Sequence, residues 1–282
     1  MRKHTMGLLA IAAASTLALS ACGGAEVGDE PEGGSSEGAG DGITIGIKYD
    51  QPGLGLKDGA EFTGFDVDVA RYVANELGYS EDQITFKETP SANRESMLDN
   101  GEVDMIFATY SITDDRKKVI DFAGPYFVAG QDLLVSADNS DITGPEDLEG
   151  KNLCSVTGST SAEKIKTDYA EGVQLLERPG YAECVNSLVA GQVDAVTTDD
   201  IILAGLAARN GDGNLKVVGN PFSEENYGVG LPKGSDLCED INAAITKMID
   251  EGAWEEAVAA NTEGADYTPN ADLNPPTPAP CA

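Results

Sequence analysis

Residues 101–122 read GEVDMIFATYSITDDRKKVIDF. The apolar run at 103–107 has the character of a buried strand, a short polar loop follows at 108–113, and Arg116 lies on the first turn of what reads as a helix. Open α/β sheets hold ligands at the carboxyl ends of their strands, because the backbone leaves the sheet there and side chains converge on a crevice. The stretch therefore aims two hydroxyls, Thr109 and Ser111, and one guanidinium at a single point. A second copy follows: residues 191–200, GQVDAVTTDD, align without gaps on 101–110. Val193 falls on Val103, Asp194 on Asp104 and Asp199 on Thr109. Each copy comes after a helical run, 91–100 or 181–190, that ends at a glycine. Two similar α/β lobes are expected. If they face one another, the first brings Arg116 and hydroxyls to a cleft and the second brings Asp199.

A chain of 282 residues is long enough for one large domain or two medium ones. Its formal charge of −31 argues against nucleic acid or an anionic membrane surface as partner, and an acidic ligand would need a locally basic pocket. The one histidine, His4, falls in what reads as a removable leader. The mature protein would then have none for a Ser-His or Cys-His site or a histidine-bound zinc. No metal and no cofactor are expected.

That leader spans residues 1–22: Arg2 and Lys3, an apolar run at 8–19, then small residues before Cys22. It is too short for a lasting membrane span. Leu19-Ser20-Ala21-Cys22 resembles a bacterial lipobox, which makes Cys22 a lipidated mature N-terminus; an ordinary cleaved signal with an incidental cysteine is the alternative. Residues 23–42 are glycine, serine and acidic residues with almost nothing to bury, and read as a flexible tether. Four cysteines remain and can pair in three ways. Export makes disulfides the expectation. Cys154 with Cys184 inside the second lobe, and Cys238 with Cys281 tying down the tail, is the favoured pairing, the alternative leaving some thiols free.

Along the chain, residues 43–47 alternate as a strand whose polar exit, KYDQPG at 48–53, puts Lys48 at another carboxyl end. From Gly64 the pattern Phe65, Val67, Val69, Tyr72, Val73, Leu77 reads as a strand-to-helix passage with helical spacing at its end, and Gly78 closes that helix. Arg94 sits on the first turn of a helix that begins at Pro90-Ser91. The strand at 151–156 runs into Gly158-Ser159-Thr160-Ser161, a helix start whose N–H groups suit an anion, although Ser and Thr cap most helices for structural reasons alone. Residues 132–136 and 227–231 read as the two crossings between lobes. The first lobe is thus expected at 43–131 and 227–268 and the second at 132–226. Residues 236–261 form a long amphipathic helical region with Trp254 as a packing anchor, and 269–282 is a proline-rich, extended tail.

Gly64-Phe65-Asp66-Val67-Asp68-Val69-Ala70-Arg71-Tyr72-Val73-Ala74, Asp121-Phe122-Ala123-Gly124-Pro125-Tyr126, the Gly158–Ser161 loop and Val193-Asp194-Ala195 resemble, in order and spacing, the solute-binding proteins of ABC transporters for polar amino acids. The resemblance covers about residues 43–262. Cys154 and Cys184, with Asp50-Gln51-Pro52-Gly53-Leu54-Gly55, look like the branch that feeds glutamate importers. It implies a bilobal α/β fold of the periplasmic-binding-protein type (type II), two lobes joined by two crossover strands and closing on one amino acid. Arg116 then corresponds to the arginine for the α-carboxylate and Asp199 to the aspartate for the α-amino group, with Thr109, Ser111, Ser159 and Thr160 around the same zwitterion. Those roles make physical sense, since guanidinium binds carboxylate bidentately and a buried ammonium needs an anionic acceptor. The plainer alternative for the pair is a surface salt bridge between Arg116 and Asp199.

Lys48 and Arg94 would suit a side-chain carboxylate, and binders of basic amino acids in this family tend to carry an acid where Lys48 stands. Glutamate is therefore expected, ahead of glutamine and aspartate. The plainer reading has Lys48 snorkelling from the rim and Arg94 capping a local carbonyl. The resemblance further implies a monomer outside the cytoplasm, anchored by lipid to the outer face of the cytoplasmic membrane, with an ABC permease and its cytoplasmic ATPase as partners. An enzyme on the same fold, such as a cyclohexadienyl dehydratase, would need a general acid in the cleft, and a sensor lipoprotein would have signalling partners instead of a permease.

Overall fold

The computed structural model describes residues 42–169, 172–211 and 213–281. The expected leader with Cys22, and the tether up to residue 41, lie outside them. The chain runs through β1 (Ile43–Ile47), β2 (Asp50–Gln51), β3 (Gly55–Asp58), β4 (Glu61–Thr63), α1 (Phe65–Glu76), β5 (Ile84–Glu88), α2 (Arg94–Asp99), β6 (Met105–Phe107), α3 (Asp114–Lys117) and β7 (Asp121–Ala129). It continues as β8 (Gln131–Ser136), β9 (Asn152–Val156), α4 (Thr160–Asp168), β10 (Gln174–Arg178), α5 (Tyr181–Val189), β11 (Ala195–Asp199), α6 (Asp200–Asn210) and β12 (Leu215–Val217). It ends with β13 (Glu225–Leu231), α7 (Cys238–Asp250) and α8 (Ala253–Thr262).

Two five-stranded sheets result, ordered β5-β1-β6-β13-β7 and β10-β9-β11-β8-β12, with β2-β3-β4 as a small third sheet. Position by position the large sheets share one plan. The first three strands are parallel, and an antiparallel strand from the far side of a crossing stands fourth. The central strands β6 and β11 are buried along their whole length, as strands covered on both faces are; β6 is apolar throughout, whereas β11 carries Thr197, Thr198 and Asp199 into the interior.

The repeat read in the sequence is present bond for bond. Asp104 and Thr44 exchange two hydrogen bonds (2.8 Å backbone, 2.7 Å to Oδ2), and Asp194 and Asn152 do the same (2.7 and 2.8 Å). Gly101 and Gly191 each end the preceding helical run at φ 66°, a left-handed conformation that glycine adopts without penalty.

Strand pairing moves the crossings from where the sequence put them. Residues 132–136 lie wholly in the second sheet, and Gln131, expected in the first lobe, already pairs with Asp199; the first crossing is at Gly130. Glu225 and Asn226, expected in the second lobe, pair with Ala129 and Val128 of the first. The single helical region expected at 236–261 is broken at Gly252 into α7 and α8. Trp254 packs among Phe65 and Phe127 and donates from its indole N–H to the Tyr126 carbonyl at 2.7 Å.

Both expected disulfides form. Cys154–Cys184 ties α5 to β9, and Cys238–Cys281 ties the tail to α7. The tail is not simply extended, since it turns at Asn270, whose carbonyl accepts from Leu273 and Asn274. It then covers the outer strand of the first sheet. The Asn274 side chain exchanges two hydrogen bonds with the Val128 backbone (2.9 and 2.8 Å), and Ala279 N–H donates to the Gly124 carbonyl at 2.7 Å. An open strand edge is thereby closed. A Cys238→Ser/Cys281→Ser variant frees a loop spanning 43 residues and is expected to lose about 2–4 kcal/mol of unfolding free energy, read by denaturant titration.

Candidate functional site

Loop 108–111 leaves β6 at its carboxyl end and holds the first half of the site. Thr109 has φ 45°, a region that a β-branched residue enters only when its surroundings compel it. The compulsion is visible: Thr109 N–H donates to Asp66 Oδ2 at 2.8 Å, and its hydroxyl lies 3.2 Å from Gln51 Nε2. Asp66 is wholly buried on α1, where its other oxygen accepts from Tyr126 OH at 2.8 Å. Burial pushes its pKa up to about 6, against those two hydrogen bonds.

The neighbouring carbonyls orient the arginines. Arg94 donates to Ala108 O at 3.0 Å and Arg116 to Ser111 O at 2.7 Å. Both guanidiniums stand over the Tyr110 ring, 4.0 and 4.8 Å from its centroid, where the π face favours a cation. Both also reach the second lobe at Gly158 O (3.4 and 3.1 Å).

On that side, Ser159 caps α4 by accepting from Ala162 N–H at 3.0 Å. Thr160 Oγ1 lies 3.3 Å from Ser111 Oγ and donates to Glu225 Oε2 at 3.0 Å. Asp199, the last residue of β11, is buried; its carboxylate accepts from Tyr227 OH at 2.5 Å and from Ser161 Oγ at 3.5 Å. Burial holds its pKa well above the usual carboxylate range, the Glu225 charge adds to this, and the Tyr227 hydrogen bond opposes it. The Arg116–Asp199 salt bridge weighed from the sequence does not form: the carboxylate paired with Arg116 is Glu95, at 3.3 Å.

Lys48 is 2% exposed and Arg94 3%, so Lys48 does not snorkel from a rim. Its ammonium donates to Ser91 Oγ at 3.1 Å. Burial pushes its pKa down to about 8, opposed by the Asp50 charge and aided by that of Arg94. Burial and the Arg116 charge bring Arg94 to about 10, which leaves it a cation at neutral pH. Arg94 does bind a local carbonyl, as the plainer reading had it, yet its Nε is buried without a hydrogen-bond partner. Among the described residues neither Lys48 nor Arg94 forms an ion pair.

A cavity of about 200 Å³ lies beside Lys48, bordered by Asp50, Glu88 and Gly180. A groove of about 510 Å³ runs past Arg116, Ser159, Thr160 and Glu225. No acid, cysteine and histidine cluster suited to a metal occurs among the described residues.

A bilobal molecule with cations on one wall and a buried aspartate on the other is a binding architecture, and its sequence matches a family model, bacterial extracellular solute-binding proteins, family 3, over residues 43–261. The chain belongs to that family. It is 45% identical over 269 residues to the glutamate-binding protein GluB of Corynebacterium efficiens, covering 90% of each chain. With the ABC transporter glutamine-binding protein GlnH of Bacillus subtilis it shares 42% over 220 residues, 77% of this chain and 79% of that one. Among solved structures, an ancestral arginine-binding protein bound to arginine superposes with a TM-score of 0.73 at 33% identity, covering 78% of this chain and 98% of that one. These relatives are solute-binding proteins, not enzymes, and the solved one has the type II bilobal fold.

For a family 3 protein, sequence reasoning named one residue on most of the segments that meet here but passed over their supports. Sequence alone gives Asp66 a place in a motif and gives Tyr227, Glu225, Ser91 and Gln51 no role. Gln51 and Asp66 did carry a signal, as polar residues inside otherwise apolar or turn-forming runs. Tyr227 and Glu225 carried none, because their partners are set by the second crossing.

The lowered pKa of Lys48 has a sign that can be checked. With a folded value of about 8 against an ordinary 10.5, the folded state binds fewer protons between them, so stability rises from pH 8 to 10.5. Lys48→Met should abolish about 3 kcal/mol of that rise, as read by chemical denaturation across the range.

Proposed function

We propose that this protein captures an acidic amino acid, L-glutamate before others, between its lobes and delivers it to an ABC permease. The observation that carries the ligand class is the pair of buried cations, Lys48 and Arg94, neither of which makes a direct ion pair among the described residues. Burying an ion costs several kcal/mol unless an opposite charge joins it. A site that keeps two of them is arranged for an anion that arrives with the ligand. Arg116 takes the α-carboxylate, Asp199 the α-ammonium, Thr109, Ser111, Ser159 and Thr160 the remaining zwitterion hydrogen bonds, and Lys48 with Arg94 the side-chain carboxylate.

Charge-assisted hydrogen bonds contribute about 1.5–3 kcal/mol each. Micromolar affinity requires about 8 kcal/mol, so a handful of such contacts suffices after closure is accounted for. The 45% identity with a glutamate-binding protein supports the reading. The likeness to a glutamine-binding protein makes glutamine the second candidate. Cys22, in its lipobox-like context, is the proposed lipid anchor to the outer face of the cytoplasmic membrane, with residues 23–42 as tether.

Calorimetry against the common amino acids tests the assignment. L-Glutamate should bind at micromolar or tighter Kd, and a response to lysine or arginine without glutamate would overturn the role given to Lys48 and Arg94. Arg116→Ala should weaken binding at least about 100-fold; retained affinity sinks its role. Because Lys48 loses its proton above about pH 8, glutamate affinity should fall as pH rises through that value while glutamine affinity holds, and Lys48→Met should flatten the difference.

A further inference from the structure

Asp50, at the start of β2, and Pro52, in the turn that follows, have no ligand contact in the reading above, although Asp50 borders the Lys48 cavity and its charge favours that ammonium. Both reach the other lobe. Asp50 Oδ2 accepts the backbone N–H of Tyr181, the first residue of α5, at 2.8 Å. That helix has Gly180 at its N-cap and no side-chain cap of its own. A carboxylate from the first lobe supplies the acceptor that a Ser or Asp N-cap would give, at the end of the helix where the backbone dipole favours a negative charge.

Pro52 presses its carbonyl oxygen on α6 at Gly205. A Cβ added at Gly205 would stand 2.1 Å from Pro52 O, and one at Gly180 2.5 Å from Asp50 Oδ2. Local conformation does not call for glycine at either place: Gly180 has the extended backbone (φ −141°) open to any residue, and Gly205 lies inside α6, where glycine is a poor choice. What the two share is the approach of the opposing turn. The same turn is joined to the ligand loop, since Gln51 hydrogen-bonds Thr109.

We propose that residues 50–52 are a clasp which, on closure, docks between the N-terminus of α5 and the middle of α6, and that Asp50, Gly180 and Gly205 set how long a bound amino acid is retained without touching it. These are positioning residues. The proposal rests on the reading that an amino acid is held between the lobes, and its test keeps the two apart.

The full-length protein is titrated with L-glutamate and L-glutamine by calorimetry, dissociation is followed by stopped flow, and small-angle scattering reads compactness. Asp50→Ala and Gly180→Ala should each weaken whichever amino acid the wild type binds by about five- to tenfold, mainly through faster dissociation. Asp50→Asn, an equally good cap that removes the same charge from beside Lys48 as Asp50→Ala does, should bind about five- to tenfold more tightly than Asp50→Ala. In the Asp50→Ala background Gly180→Ala should add little, because the clashing carboxylate is gone. Wild-type affinity in Asp50→Ala, or Asp50→Asn as weak as Asp50→Ala, overturns the clasp. If the wild type binds neither amino acid, the ligand reading falls on its own. The clasp is then judged by scattering without ligand: expansion in Asp50→Ala and Gly180→Ala supports it, and dimensions equal to wild type overturn it.

Discussion

The carboxylate of Asp66 accepts a backbone N–H from Thr109 and a phenol from Tyr126, and through these two bonds it joins α1, the end of β6 and β7. Thr109 is held in a left-handed conformation by this arrangement, and the loop around it faces three ways at once. Its carbonyls at Ala108 and Ser111 orient Arg94 and Arg116, its hydroxyls face Gln51 and Thr160, and Tyr110 lies beneath both guanidiniums. The charge of this buried acid also acts on Lys48 and Arg94 and offsets part of their mutual repulsion. Without the anchor, the arginines would lose their acceptors and the loop its reason to adopt a costly backbone.

The two lobes repeat one core of strands, and the site draws on what differs at the ends of those strands. Asp104 and Asp194 make the same pair of bonds to the neighbouring strand, and Gly101 and Gly191 make the same turn. Five positions after each of these aspartates, the first copy has Thr109 and the second Asp199. Duplicated backbone chemistry thus gives two strand ends aimed at one cleft, with a hydroxyl beside the arginines on the first and a buried carboxylate on the second.

That much could be read in the sequence, because it depends on contacts local to each lobe: the repeat, the glycines that close the helices, Arg116 on its short helix and the cysteine pairs. What the sequence left out depends on contacts between distant segments. Tyr227 meets Asp199, Glu225 meets Thr160, and Asp50 meets α5 only once the chain has crossed between lobes and the lobes have come together. Periodicity carries no trace of such meetings. The crossings were misplaced for a related reason: an apolar strand reads alike whether it joins two sheets or belongs to one, and only the pairing of Gln131 with Asp199 decides. Asp66 was overlooked because an acid in the first turn of a helix is ordinarily a solvated one, well placed for the helix dipole, whereas here it faces inward.

The tail and β1 belong to the same lobe. Cys238–Cys281 and the Asn274 bonds fasten the tail to the first sheet, whose second strand is β1, and the second lobe is an insertion between Gly130 and Glu225. Among the described residues the backbone joins the second lobe to the first at Gly130 and Glu225 alone, so every covalent path from the tail or from β1 into the second lobe passes through those two crossings.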